Sequence, residues 1–467
     1  MADDLHRPVI VGVGQLHSNR DRTVAGAREP LHLITEALRA AAPPALLAAA
    51  DAVHAVHVAS WAYGGLARRV AGEVGASPSH LEDTGLGGHL PVRLLERAAA
   101  RIAAGGCRVA LVVGGEAQAS VSLLGKAGVD PVAQLGWTAD PGGPPAFDLD
   151  QLGSPAMQAA GMIAPTRVYP LYENRLQADL GLTPELAHAW SSRLYAALTG
   201  VASAHPAAWE PDVLTPDEVG TAGPANRMVC EPYPLRMNAM PHVDQAAAVV
   251  VTSLAAARAH GVPDADLVHV WGGAGSDDDP DVLVRPDLGG SRALGDALDR
   301  CLTRAGLTVA DLDLLDVYSC FPVVPKLVGR HLGLAPDAVL SVTGGHSAFG
   351  GPLNSYALHA VATMVQRLRA GGGTGLVHGN GGYLTYQHAV VLSSGPHPAG
   401  YVGDPVARTV TGPAVEVVAL GEEPVDVVVE TATVEHDRSG APAQAFVVGR
   451  TPGGARAATC TRPGDAA

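Results

Sequence analysis

Two segments of the chain repeat one pattern, and this repeat restricts the possible folds more than any other feature. Segments 51–78 and 311–336 share residues at the same spacing, pairing Val70 with Val328, Gly75 with Gly333 and Pro78 with Pro336. Each segment follows an amphipathic helical pattern, at 31–41 and at 292–306, and precedes a glycine-rich turn that opens a long helical segment. A shared order of elements over such a length indicates an internal duplication.

The duplication predicts an α/β protein with two related halves. Each half has the pattern strand, helix, strand, helix, strand, strand, and such alternation is typical of sheets covered by helices. We expect the halves to pack as related layers. The predicted divisions are the first part of the N-terminal half, an inserted loop domain, the end of that half, the C-terminal half and a small β-barrel-like domain, at 1–116, 117–240, 241–267, 268–395 and 396–467.

The insertion and the C-terminal segment differ in composition from the two halves. The insertion is rich in Pro, Gly, Trp and Tyr and contains one helical segment at 185–198. Insertions of this length usually carry binding surface. The C-terminal segment shows two alternating strands, within 425–450, around an Asp-Arg-Ser-Gly turn. We therefore expect a loop domain over the sheet edges and a separate β-barrel or sandwich.

Charge, hydropathy and cysteine usage exclude several classes of protein. A formal charge of −15 argues against nucleic acid, and no apolar stretch has the length of a membrane span. The amino terminus is acidic and then strand-like, so we expect a cytoplasmic protein. The five cysteines are dispersed, and the two histidines of His-Ala-Val-His at 54–57 do not share a face, so no metal site is predicted.

Several ordered motifs resemble those of thiolases. They are Val-Asp-Gln-Ala-Ala-Ala at 243–248, Tyr-Ser-Cys-Phe at 318–321, the segment 344–354 ending in Gly-Gly-Pro-Leu-Asn, and His-Gly-Asn-Gly-Gly-Tyr at 378–383. Together with the hairpin His-Asp-Arg-Ser-Gly-Ala-Pro-Ala-Gln, they are similar to the thiolase-like proteins type 1, which add a small C-terminal β-domain. The resemblance implies the thiolase fold, with two duplicated halves in a layered αβαβα arrangement.

The resemblance does not supply the catalytic groups of a thiolase. Gly88 occupies the position at which thiolases have the nucleophilic cysteine, and Tyr318 occupies that of their active-site asparagine. The histidine of the Gly-His-Pro motif is replaced by Gly351, and the acid–base cysteine by His378. Thiolysis through an acyl-cysteine is therefore not expected.

Four polar residues, including two of these replacements, lie on segments that the resemblance brings to the active site. His378 is a candidate general base, and Tyr383 a candidate acid or base. Tyr318 is a candidate donor to an oxyanion, and His346 a candidate partner of His378. Each has a structural alternative: a strand histidine satisfied by a carbonyl, two packed tyrosines and a turn residue. Cys320 is the thiol nearest these motifs, and we interpret it as a small buried residue.

Three functions stay open at this point. The leading hypothesis is an acyltransferase-like enzyme of acyl-CoA and lipid metabolism that makes or breaks a carbon–carbon bond by Claisen or retro-aldol chemistry. The alternatives are a non-catalytic protein that binds CoA thioesters and a subunit active only with a partner. The CoA thioester is a substrate and no separate cofactor is predicted. The phosphates of the CoA group would contact Arg167, Arg175 and Arg227 in the loop domain. A homodimer is possible, and neither nucleic acid nor membrane is an expected partner.

Overall fold

The computed structural model describes most of the chain. The described residues are 3–145, 153–418 and 425–465. Parts of three predicted domains therefore lie outside the described residues, namely 1–2 in the first part of the N-terminal half, 146–152 in the loop domain, and 419–424 and 466–467 in the C-terminal domain.

Fifteen strands occur in the described residues, and most have alternating or continuous apolar patterns. They are β1 (Pro8–His17), β2 (Ala52–Ala55), β3 (His80–Asp83), β4 (Val109–Ala117), β5 (Met228–Cys230), β6 (Tyr233–Pro234), β7 (Asp244–Ser253), β8 (Val268–Asp277), β9 (Leu314–Asp316), β10 (Thr374–Gly381), β11 (Tyr386–Ser393), β12 (Asp404–Thr409), β13 (Val428–His436), β14 (Pro442–Arg450) and β15 (Arg456–Cys460).

Fourteen α-helices occur in the same residues, and seven of them begin at a proline, whose fixed φ and missing N–H suit a first helical turn. They are α1 (Pro30–Ala41), α2 (Pro44–Ala48), α3 (Leu66–Glu73), α4 (Leu90–Ala103), α5 (Gln118–Ala127), α6 (Pro131–Leu135), α7 (Pro155–Ala159), α8 (Pro165–Asp179), α9 (Pro184–Ser203), α10 (Pro216–Gly220), α11 (Leu254–Ala259), α12 (Arg292–Ala305), α13 (Val323–His331) and α14 (Tyr356–Gly371). A search of these helices finds no segment of the length and hydropathy that a bilayer crossing requires.

The order of the strands confirms the duplication. The main sheet runs β3-β2-β4-β7-β1-β8-β11-β10-β9. The first half therefore places β2, β4, β7 and β1 side by side, and the second half places β9, β10, β11 and β8 in the same order. Within each half the first pair is parallel and the other two pairs are antiparallel. The predicted α/β class with two related halves is thus confirmed.

The two halves meet where β1 and β8 pair over two residues. Val9 lies opposite His269 and Ile10 opposite Val268, after which the strands separate. Strand β12 then continues along β8, starting with Asp404 opposite Ala274. The segment that follows the C-terminal half is therefore attached to the sheet of that half.

Helices α4 and α14 form the inner layer, because both contact strands of the two halves. The buried stripe of α4 contains Val92, Leu95, Ala99 and Ile102, which recur with helical spacing. The start of this helix lies against β10 of the other half: a Cβ on Gly379 would be 2.9 Å from the Cα of His89. This contact brings residues of both halves to one place.

The C-terminal region differs from the predicted barrel. It forms an open antiparallel sheet in the order β15-β14-β13-β5-β6, and β5 and β6 belong to the inserted region. Cys230 of β5 lies opposite Glu435 of β13. The hairpin of β13 and β14 has its predicted turn, in which Gly440 has φ +87°. The pattern of two alternating strands was sufficient to predict the hairpin, but it contains no information about a partner strand two hundred residues away.

Candidate active site

Gly88 immediately precedes the first residues of α4 and faces the second half of the molecule. A Cβ at this position would lie 2.0 Å from the hydroxyl oxygen of Tyr318 and 2.7 Å from the carbonyl oxygen of Asn380. No side chain fits there without movement of the neighbouring groups. The space in front of Gly88 is therefore filled by Tyr318 and is not open to a substrate in this conformation.

Tyr318 follows β9 and is packed in an aromatic cluster. Its ring lies 4.1 Å from that of His346 and 5.9 Å from that of Tyr356, measured between centroids. Only 6% of the residue is exposed, and burial raises the pKa of its phenol. Within the described residues its hydroxyl makes no hydrogen bond. Tyr318 therefore presents a neutral O–H donor beside Gly88.

His346 lies in the π-helical turn Gly345–Phe349 and stacks on Tyr356 at 3.5 Å. The backbone N–H of Ser319 donates to its Nδ1 at 3.3 Å, and the hydroxyl of Ser319 lies 3.2 Å from the same atom. Because a backbone N–H can only donate, Nδ1 is the acceptor and the ring proton is on Nε2. Burial holds the pKa of His346 far below its usual range, so the ring is neutral. Its Nε2–H has no partner among the described residues.

His378 is on β10, where a chain of hydrogen bonds determines its tautomer. Tyr169 donates to the carbonyl of Gly382 at 2.7 Å, and Asn380 donates through Nδ2 to the hydroxyl of Tyr169 at 2.8 Å. Gln387 donates through Nε2 to the side-chain oxygen of Asn380 at 2.7 Å. The remaining oxygen of Gln387 lies 2.8 Å from Nε2 of His378. His378 therefore donates through Nε2, and its Nδ1 has a lone pair.

This lone pair is buried and has no partner in the described part of the chain. Desolvation lowers the pKa of His378 to about 4, although the hydrogen bond to Gln387 opposes this shift. The imidazole is consequently neutral near pH 7. Buried polar atoms without partners are uncommon in folded proteins. Of the candidate residues, His378 has an unpaired acceptor and His346 an unpaired donor in the described part of the chain, and the Tyr318 hydroxyl makes no hydrogen bond there.

Tyr383 does not join this group. Its hydroxyl donates to the carbonyl of Ile163, and its own carbonyl accepts from Arg285 at 2.7 Å. Burial raises the pKa of the phenol. The ring therefore fixes the turn between β10 and β11 to the inserted region, and its hydroxyl is not available to a substrate.

The three arginines predicted to meet CoA phosphates are engaged within the chain. Arg167 forms two hydrogen bonds, of 3.1 and 2.9 Å, to the carboxylate of Glu435 in the C-terminal sheet. Arg175 pairs with Asp179 at 2.7 Å. Arg227 donates to the carbonyl of Met228 at 3.0 Å and makes no ion pair in the described residues. A phosphate at Arg167 or Arg175 would have to displace a carboxylate.

Cys320 lies at the edge of the polar chain. Its Sγ is 3.8 Å from Nδ2 of Asn380, and burial raises the pKa of the thiol to about 12. Such a thiol is protonated at neutral pH and is a poor nucleophile. Four residues were not identified from the sequence: Gln387, Asn380 and Tyr169, which form the hydrogen-bond chain to His378, and Ser319, which bonds His346. Alternation along β10 places Asn380 on the face of His378, whereas nothing local indicates Tyr169.

A cavity lies beside this site and is not lined by its residues. It has a volume of about 490 Å³ and is bordered by Arg285 and Ser291, which both bond to the turn between β10 and β11. Asp278, Asp287, Asp296 and Asp299 make its wall acidic. An acidic wall is unfavourable for the phosphates of CoA.

A family model and several known proteins are similar to this chain. Residues 405–465 match the model described as the thiolase-like protein type 1 additional C-terminal domain. A monomeric SCP2-thiolase-like protein type 1 from Mycobacterium smegmatis is 28% identical, with a TM-score of 0.81 over 98% of this chain and 93% of that chain. The fold and the arrangement around Gly88 thus define a thiolase-fold protein without a nucleophilic cysteine at that position. Within that class, the chain is similar to the thiolase-like proteins type 1.

Two further proteins show the range of the likeness. The cytosolic acetyl-CoA acetyltransferase of Rattus norvegicus is 29% identical over 165 residues. That alignment covers 35% of this chain and 36% of the relative, so the chain matches about a third of the relative's length. The Ltp2-ChsH2(DUF35) aldolase is 17% identical, with a TM-score of 0.64 over 83% of this chain and 98% of that chain. At this identity the likeness concerns the fold alone.

Proposed function

We propose that this chain binds an acyl-CoA thioester and moves the proton on its α-carbon, so that a carbon–carbon bond is made or broken without an acyl-cysteine. The observation that supports this most is the presence of unpaired buried groups on three of the motif segments. These are the lone pair of His378 and the Nε2–H of His346, which have no partner in the described residues, and the hydroxyl of Tyr318, which lies beside Gly88. The match to an acetyl-CoA acetyltransferase supports a CoA thioester as the ligand.

Each group has a role in such a reaction. His378 accepts the α-proton at Nδ1, because its lowered pKa keeps the imidazole neutral at working pH. His346 and Tyr318 donate to the thioester oxygen as it becomes an enolate oxygen. Donors in a dry site stabilise that charge by about 3–4 kcal/mol each when they are well placed.

The reaction has two possible directions, and the enolate occurs in both. In the Claisen direction its α-carbon attacks a second thioester and expels a CoA thiolate. In the retro-aldol direction a β-hydroxyacyl thioester loses its hydroxyl proton, the bond between the α- and β-carbons breaks, and the enolate is reprotonated as a carbonyl compound leaves. No acyl group becomes attached to the protein in either direction, since position 88 is a glycine.

The substrate must displace Tyr318 from its present position. His346 and His378 are only 2% and 1% exposed, and the Tyr318 hydroxyl fills the space beside Gly88. A rotation of the Tyr318 side chain would open that space and place its hydroxyl near the thioester oxygen. Among the three arginines, Arg227 has no carboxylate partner in the described residues and remains our prediction for a phosphate contact.

The test is exchange of the α-protons of acetyl-CoA and butyryl-CoA with deuterated solvent, followed by mass spectrometry alongside free CoA. We expect exchange that falls by about 10² or more in His378→Ala. The rate should be constant above about pH 6 and decrease towards pH 4, because protonation removes the base. Cys320→Ala and Tyr383→Phe should retain exchange. Equal exchange in His378→Ala and in the wild type would refute the role of His378.

A binding protein without catalysis is the second candidate, and the closed space beside Gly88 favours it. This function predicts that the thioester binds and that no exchange occurs above that of the free compound. Calorimetric titration with acetyl-CoA, run beside the exchange experiment, distinguishes the two. Binding with no exchange would establish the second candidate, and neither binding nor exchange would refute both.

A further inference from the structure

A group of three possible metal ligands lies at the free edge of the main sheet, away from the residues discussed above. Strands β2 and β3 pair in parallel, which places His54 beside Glu82. His80 is two residues before Glu82 on β3 and therefore shares its face. Nδ1 of His54 is 2.8 Å and Nε2 of His80 is 3.8 Å from the same oxygen of Glu82, Oε2. The three ligand atoms lie within 4.8 Å of one another.

We propose that His54, His80 and Glu82 bind one divalent transition-metal ion, with zinc as the best match. Two imidazoles and one carboxylate are a common ligand set for zinc and related ions. Bonds of about 2.0–2.2 Å place tetrahedral ligands roughly 3.4 Å apart. The present separations need to change by only about an ångström. His80 and Glu82 are 30% and 20% exposed, so water can occupy the fourth position.

The surroundings of Glu82 suit this role. Its other oxygen, Oε1, accepts from Arg97 of α4, which holds the carboxylate in place and leaves Oε2 directed towards the histidines. Hydrogen bonds of this kind orient metal ligands in many sites. His54 is 1% exposed, and its Nε2 has no partner among the described residues. When the ion replaces the proton between Nδ1 and Glu82, that proton moves to Nε2.

Arg101 opposes the ion. It donates to Nδ1 of His80 at 3.0 Å, which leaves the proton of this neutral ring on Nε2. Coordination through Nε2 requires the proton to move to Nδ1 and Arg101 to turn away. The positive charge of Arg101 also repels a cation. The site should therefore bind zinc more tightly when Arg101 is removed, a result that an ordinary salt-bridge network does not predict.

The experiment uses the full chain, purified without metal, in calorimetric titrations with Zn²⁺ and in absorption spectra with Co²⁺. The variants are His80→Asn, which removes a partly exposed ligand, and Arg101→Ala, which removes the competing cation. His331→Asn is the matched control, because His331 is 31% exposed and pairs with Asp299 elsewhere. Circular dichroism and thermal unfolding show whether each variant is folded.

We expect one equivalent of Zn²⁺ to bind to the wild type and to His331→Asn, and the Co²⁺ complex to show visible bands of four-coordinate geometry. His80→Asn should bind at least tenfold more weakly, and Arg101→Ala about tenfold more tightly. Zinc should raise the thermal midpoint of the wild type, since it ties β2 and β3 together. Equal affinity in folded His80→Asn and wild type would overturn the proposal. So would absence of binding in both the wild type and Arg101→Ala at a large excess of Zn²⁺.

Discussion

The backbone of Gly88 and the hydroxyl of Tyr318 occupy neighbouring space at the start of α4, and this contact determines what position 88 can tolerate. A methyl group there would overlap the Tyr318 hydroxyl, since a Cβ would lie 2.0 Å from it. The glycine therefore leaves no open space for a substrate in this conformation, because the Tyr318 hydroxyl occupies it.

Gly88→Ala should destabilise the protein by about 1–3 kcal/mol, because the added methyl forces Tyr318 or the strand carrying Asn380 to move. Urea unfolding measures the change. The matched control is Gly125→Ala in α5, where a Cβ meets no atom within 4 Å. In the background of Tyr318→Ala the cost of Gly88→Ala should fall by more than half. An equal cost in both backgrounds would show that the two residues do not share this space.

The hydrogen-bond partner of His378 contributes to its pKa, in the direction opposite to desolvation. In Gln387→Glu a carboxylate replaces the amide oxygen 2.8 Å from Nε2, which favours the imidazolium. The pKa of His378, now about 4 because of desolvation, should rise by about 1–3 units. An NMR titration of the histidine resonances measures this shift without any substrate. Gln177→Glu, on α8, should leave the His378 titration unchanged. An unchanged pKa in Gln387→Glu would refute the proposed hydrogen bond.

Among the elements, α4 connects the candidate site to the segment that leads to the C-terminal sheet. Glu96 lies on its buried face, and Tyr401 donates to Oε1 of Glu96 at 2.5 Å. The other oxygen, Oε2, has no partner in the described residues. Burial raises the pKa of Glu96 to about 7, although the bond from Tyr401 acts in the opposite direction. The stability of this helix contact should therefore depend on pH.

The sign of that dependence follows from the raised pKa. The folded state binds the Glu96 proton more tightly than the unfolded state, so stability is greatest at low pH and is lost as pH rises through about 7. Glu96→Gln stays neutral and avoids this loss. When the pH rises from 5 to 8, the free energy of unfolding of the wild type should therefore fall by roughly 3 kcal/mol more than that of Glu96→Gln. Urea unfolding at the two pH values measures the difference. A difference independent of pH would contradict the raised pKa.

The elements that could be predicted from sequence are those with strong local patterns. The stripe of α4, the duplicated strand order and the hairpin of β13 and β14 all follow from periodicity and turn residues. The candidates Tyr318, His346 and His378 came from the resemblance to thiolase motifs, and their roles stay predictions. Tyr383 and Arg167 were assigned roles that their partners do not favour. The partner of Arg167 is Glu435, 268 residues away, and sequence periodicity contains no information about such a contact.

At the scale of the whole molecule, the C-terminal sheet is bound to the rest of the chain by a buried arginine. Arg456 is fully buried, donates to the carbonyls of Leu283 and Arg285 at 2.6 Å each, and pairs with Glu430. These contacts cross from β15 to the C-terminal half. Because β5 and β6 complete the same sheet, the insertion, the C-terminal half and the C-terminal region should unfold together.

Arg456→Ala should destabilise the whole protein by about 3–5 kcal/mol, because it removes one of the two arginine partners of the largely buried Glu430 and the donor to two carbonyls. Arg450 is also a partner of Glu430, but its side chain is 27% exposed. Arg450→Ala should therefore lower the stability much less. Scanning calorimetry should show one transition that moves to lower temperature in Arg456→Ala. Two separate transitions, with only the smaller one affected, would contradict the coupling.

The contact between Gly88 and Tyr318 also limits the order in which mutations can accumulate. A cysteine introduced at position 88 while Tyr318 is present meets the phenol and is selected against on stability alone. A lineage that regained a nucleophile would first have to replace the tyrosine, which would leave an unfilled space beside Gly88 and cost stability as well. Each single step is unfavourable although the double change need not be. The pair should therefore persist together, and relatives with a side chain at position 88 should have a smaller residue at the position of Tyr318.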